Sequence, residues 1–225
     1  MHTVRGGFVA VVFFDMDGTL VDGDTNDISL QFYVDKGLIP LSYLDPLPEM
    51  GRKFFLGQVD INEVAIFAAK PLVGLSREKR DALLHECVST LIAPRFKKGA
   101  LKAVAYCRRH GDISVIVTST NDYLVRHVAD ALGIDHIIAS PMELDQNGVL
   151  TGRRCGVVPY QVDKVNRIRE FLMQNGLDLK GSRAYGDSVN DMPMLLMTEH
   201  PVAVDPNETM HTHKDFDKVA VEHWI

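Results

Sequence analysis

The stretch "VVFFDMDGTLVDGD", Val11 to Asp24, joins an apolar run to four carboxylates, Asp15, Asp17, Asp22 and Asp24. The run from Phe8 to Phe14 is dominated by β-branched and aromatic side chains with no polar alternation, which predicts a strand buried on both faces, as in a parallel sheet. Carboxylates so close together raise one another's pKa unless something positive lies among them. The stretch therefore asks for a metal ion, a lysine or bulk water.

Working outward, "ISVIVTST" (113–120) repeats the buried-strand pattern. "SRAYGD", ending at Asp187, "PVAV" (201–204) and "HIIAS" (136–140) are weaker versions of it. Helical patterns separate them: "GALKAVAYCRRHG", "NDYLVRHVADALG" and "QVDKVNRIREFLMQNG", the last with Val162, Val165, Ile168, Phe171 and Leu172 at helical spacing. Alternating strands and helices predict an α/β fold with a doubly wound parallel sheet. Asn147-Gly148 within "LDQNGVLTG" predicts a hairpin, a small β-flap. Residues 25–94 do not alternate; "NDISLQFYVDKG", "MGRKFFLG", "INEVAIFAAKPL" and "SREKRDALLHECVSTLI" read as helices interrupted by Pro40, Pro46 and Pro48. The expected organisation is a core domain of residues 1–24 and 95–225 with a helical domain, 25–94, inserted after the first strand.

The 225 residues are 46% apolar and 24% charged, and the formal net charge is −6, which argues against a nucleic-acid surface. "RFKK" at 95–98 and the arginine pairs at 108–109 and 153–154 read as solvated helix or loop ends. Three cysteines, Cys87, Cys107 and Cys155, form no C-x-x-C pair and point to a reducing cytoplasm. The apolar run after Arg5 is short for a signal core and stops at Asp15, and no segment approaches the ~20 apolar residues of a spanning helix, so no membrane partner is expected.

Ligands of open α/β sheets bind beyond the carboxyl ends of the strands. The first predicted strand ends at Asp15 and Asp17, the second at Thr118 with Ser119 and Thr120, the third at Asp187 before Ser188, Asn190 and Asp191. Lys164 opens the helix leading to the third. Taken singly, these signals have ordinary readings. Asp17-Gly18 can be a hairpin turn, Thr118 a strand residue, Lys164 an exposed helix lysine and Asp191 a helix cap. The acids also resemble a calcium loop, with glycine and glutamate misplaced for an EF-hand. Taken together they converge on one edge, where a hard cation and a lysine offset the acids.

"DMDGT" (15–19), Thr118, Lys164 and "GDSVND" (186–191) resemble the four motifs of the haloacid dehalogenase superfamily, over nearly the whole chain. The helical insertion resembles that family's C1 cap. "VIVTSTNDYLV", "GVLTG" and "YGDSVNDMPML" resemble its IB subfamily, which includes phosphoserine phosphatases and one type of histidinol-phosphatase. The resemblance implies that Asp15 is the nucleophile, Asp17 the general acid and base, Thr118 a phosphoryl hydrogen-bond donor and Lys164 a charge balance. It implies Mg²⁺ held by Asp15, the Asp17 backbone carbonyl and Asp187, with Asp191 orienting its waters and Asn190 beside it, both outside the ligand set. A small-molecule phosphate ester is the implied substrate.

Asp24 stands where phosphoserine phosphatases carry a glutamate for the substrate amine, with a helix N-cap as its other reading. Counting from Gly57 reaches Ala68 where those enzymes have an arginine for the substrate carboxylate. Ser119 and Thr120 replace their two glycines, and Ser119 joins Asp24 as an expected substrate contact. These departures favour an amine-bearing ester without a carboxylate, such as histidinol phosphate, over phosphoserine. A phosphotransferase on the same fold and a non-catalytic phospho-acceptor module are the rival functions.

Overall fold

The computed structural model describes residues 9–56 and 58–225. Eight strands form along them: β1 (Val11–Phe14), β2 (Ile113–Asn121), β3 (His136–Ser140), β4 (Met142–Leu144), β5 (Leu150–Arg154), β6 (Arg183–Gly186), β7 (His200–Val204) and β8 (Ala220–Glu222). Six make one sheet in the order β3-β2-β1-β6-β7-β8, and every neighbouring pair is parallel. The strand order reverses at β1, so the crevice of this doubly wound sheet opens where β1 and β6 end.

β1 is buried on both sides, as its composition requires. Val12 and Phe14 join a cluster with α5 (Lys98–His110) and α6 (Asp122–Leu132); Val11 and Phe13 join another with α7 (Val162–Asn175) and α8 (Met192–Leu195). Phe14 stacks on Tyr185 of β6 at 5.1 Å between ring centroids. The amide of Asp15 donates to the Tyr185 carbonyl at 2.9 Å, which carries the sheet's hydrogen bonding up to the first acid.

Between β1 and α5 lie four helices: α1 (Thr25–Asp35), α2 (Leu47–Phe55), α3 (Ile61–Ala69) and α4 (Arg77–Cys87), the last running on through a π-helical segment, Val88–Ile92. Asp24, Asp60 and Ser76 cap α1, α3 and α4 through side-chain acceptors. The hairpin β4–β5 is antiparallel and turns at Gly148, with φ +75°. It packs on these helices: Gly74 N–H donates to Leu150 O at 3.3 Å, and the buried Arg80 donates to Gly148 O at 2.8 Å.

One expectation needs correction, one strand end moves and one strand was not foreseen. β2 runs one residue past the expected 113–120, through a register irregularity, to Asn121. Lys97 is not a solvated loop end: it is 7% exposed and donates to Gly18 O at 2.5 Å and Asp205 Oδ2 at 2.9 Å. β8, with all three residues exposed, carried no strand signal. Phe8 and the counting landmark Gly57 lie outside the described residues. No helix among the described residues is long and apolar enough to cross a membrane.

Candidate active site

A cavity of about 350 Å³ opens at the carboxyl ends of β1, β2 and β6. Its floor holds Asp15, Asp17, Thr118, Lys164, Asp187 and Asp191, and Asp24, Ser119 and Asn190 also line it. Every expected site residue is thus brought to one place. Its far wall comes from α2 and α3, including Met50, Phe54, Phe67 and Ala68.

Asp15 is buried and accepts from Lys164 Nζ at 2.5 Å. Lys164 Nζ also reaches Asp191 Oδ1 at 2.6 Å. The other Asp191 oxygen accepts from Ser188 N at 3.1 Å and Ser188 Oγ at 2.9 Å. Glycines allow this density: a Cβ on Gly18, whose φ is +79°, falls on the Asp187 carboxylate, and one on Gly186 falls on Asp191. Lys97 holds the Gly18 carbonyl from below, a role hidden in the sequence.

Asp17 is set apart. Its Oδ1 accepts from Thr25 N at 2.7 Å and its Oδ2 from Thr120 Oγ1 at 2.8 Å. Thr120 therefore holds the second acid, a function not read from the sequence. Asp24 caps α1 through Asn26 N and Asp27 N, its helix-cap reading, and it also lines the cavity.

Burial pushes Asp17 up to about 7, with the neighbouring Asp24 adding to it. Burial and then Asp191 push Asp187 up to about 8. Burial raises Asp15 well above its ordinary value, Asp191 and Asp187 add to this, and Lys164 opposes it. For Lys164, burial works against the charge but Asp15 and Asp191 outweigh it, so its pKa rises. The buried acids thus outnumber the available ammonium.

Carboxylate oxygens of Asp15, Asp187 and Asp191 lie within 4.8 Å of one another. An all-oxygen donor set, with more carboxylates than Lys164 can neutralise, suits a hard cation such as Mg²⁺. Both Asp191 oxygens already have partners, which leaves Asp15 and Asp187 as the better-placed carboxylate ligands.

Fold and site define a parallel α/β protein with acids and a lysine gathered in one cavity at the strand ends. The model of the haloacid dehalogenase-like hydrolase family matches residues 12–196, and the chain belongs to that family. A histidinol-phosphatase of Neisseria meningitidis is 28% identical over 201 residues, 88% of this chain and 90% of that protein. Phosphoserine phosphatase SerB1 of Mycobacterium tuberculosis is 29% identical over 212 residues, 90% of this chain and 67% of the relative. A crystal structure of a protein of unknown function from Bordetella pertussis Tohama I superposes with a TM-score of 0.86 at 25% identity, covering 97% of this chain and 100% of that one.

Proposed function

We propose that this chain is a Mg²⁺-dependent phosphatase acting on a small, amine-bearing phosphomonoester through an aspartyl-phosphate. The observation that carries the reading is Asp15, buried at a strand end, 2.5 Å from Lys164 Nζ and open to the cavity. Asp15 attacks phosphorus and the ester P–O bond breaks. Asp17, which burial and Asp24 hold at about 7, protonates the leaving alkoxide. A water then attacks the acyl phosphate, Asp17 takes its proton, and Asp15 is freed with release of phosphate. Lys164 and the Thr118 hydroxyl bind phosphoryl oxygens. The Asp15 and Asp187 carboxylates and the Asp17 carbonyl would hold Mg²⁺, with Asp191 orienting its waters; when bound, it neutralises charge on the phosphoryl oxygens.

In this reading residues 25–94 are a cap domain over a core of 1–24 and 95–225, and the wall from α2 and α3 selects the alcohol. Asp24 and Ser119 are substrate contacts. Asp24 and Asp27 line the cavity, and Lys164 is the only lysine or arginine among its described lining residues. That suits a cationic leaving group and leaves a substrate carboxylate without a partner. The likeness to a histidinol-phosphatase supports the same choice.

Phosphate release without an added acceptor, measured over a panel of esters, tests this. Histidinol phosphate should exceed phosphoserine in kcat/KM. Asp24→Asn should raise KM for the cationic ester about tenfold, roughly 1.4 kcal/mol of binding, and leave KM for a neutral ester unchanged, while any change in kcat through Asp17 is common to both esters. Phosphoserine as the preferred substrate would overturn the choice.

A further inference from the structure

The turn leading into α7 contains a strained residue. Gln161 has φ 49° and ψ −120°, a conformation that favours glycine. Asp163 N–H donates to the Tyr160 carbonyl at 2.9 Å, closing a tight turn around it. Strain of this kind persists only where surrounding contacts enforce it, and it gathers at working sites.

The contacts enforcing it reach both walls of the cavity. The Tyr160 ring lies 5.2 Å from that of Phe54 on α2, and its hydroxyl donates to the Phe54 carbonyl at 3.0 Å. Gln161 Nε2 donates to Asn190 Oδ1 at 3.1 Å, and the Gln161 carbonyl accepts from Lys164 N at 3.1 Å. Asn190 is 3% exposed and lines the cavity, and its Nδ2 has no hydrogen-bond partner. Because the Asn190 oxygen is taken by Gln161, its amide is fixed with the donor left over. A buried donor without an acceptor is costly, and on the cavity wall a ligand oxygen would satisfy this one.

We propose that Gln161 is a positioning residue: its turn sets the Asn190 amide and the first turn of α7, so that Asn190 Nδ2 and Lys164 Nζ are presented together to a phosphoryl group at Asp15. This rests on the phosphatase reading. The Gln161–Asn190 hydrogen bond helps to hold the strained turn, and the Tyr160 contact ties that geometry to α2.

Two variants of the full chain, assayed with Mg²⁺, test it. Gln161→Met keeps the bulk and the strained backbone but removes the donor. Gln161→Gly removes the donor and suits the backbone, so it folds even if the methionine variant does not. Both should lower kcat about tenfold with KM changed less than about threefold, whichever way each moves Tm; calorimetric affinity for inorganic phosphate should fall about tenfold in both. A purely structural role would make activity follow Tm, and a glycine variant with wild-type kcat and phosphate affinity overturns the proposal. Should wild type bind phosphate but hydrolyse no ester, the phosphatase reading fails, and weaker phosphate binding by both variants still upholds Gln161. No phosphate binding by wild type overturns both.

Discussion

At the scale of single residues, the convergence of Asp15, Asp17, Thr118 and Asp187 was legible because unbroken apolar runs show where the strands end, and that of Lys164 because it opens the helix before β6. Lys97, Thr120 and Gln161 were not, because their roles depend on distant partners. Lys97 meets Gly18 and Asp205 across 79 and 108 positions of chain. Inside "RFKK" nothing distinguishes it from a solvated lysine. Its removal leaves Asp205, with an 11% exposed side chain, without its lysine. Lys97→Met should therefore cost about 3 kcal/mol, about 6–12 °C in Tm for a chain of this size. Thermal melts check this, and an unchanged Tm would show that the pair contributes nothing. Thr120→Val tests the other hidden role. It removes the hydroxyl that lowers the Asp17 pKa, and kcat should fall about tenfold, one hydrogen bond's worth of placement.

At the scale of elements, strand and helix positions followed from composition, while their ends did not. β2 outruns its expected end by one residue because Asn121 is buried, at 2% exposure, with its amide donating to Ala65 O, and a polar residue gives no sign of that. β8 is an exposed edge strand of three residues, too short for any pattern. The loop after β1 turns at Gly18, whose φ is +79°. A side chain there meets both a positive φ and the Asp187 carboxylate. Gly18→Ala should abolish phosphate release and Mg²⁺-dependent stabilisation together, while the sheet, read by circular dichroism, survives. Retained Mg²⁺ stabilisation would mean that the loop is free to move aside.

At the scale of the whole molecule, the buried acids tie stability to pH. Asp17 and Asp187 have folded-state values of about 7 and about 8 against an ordinary 3.8. The folded, metal-free chain therefore binds protons more tightly than the unfolded chain. This stabilisation is fully present below pH about 4 and is lost as pH rises through 7 to 8. In EDTA, Tm should fall between pH 5.5 and 8.5. The increment from Mg²⁺ should grow over the same range, because cation binding displaces those protons. An increment independent of pH would place the cation away from these acids.

In the proposed mechanism Asp15 carries the phosphoryl group. The direct measurement is a single turnover of the best ester with Mg²⁺, quenched in acid and read by peptide mass spectrometry. A phosphoryl adduct on the peptide containing Asp15, absent from Asp15→Asn and discharged before the quench when the reaction is allowed to finish, is the predicted result. Phosphate release at the wild-type rate by Asp15→Asn, or an adduct on another residue, would contradict it.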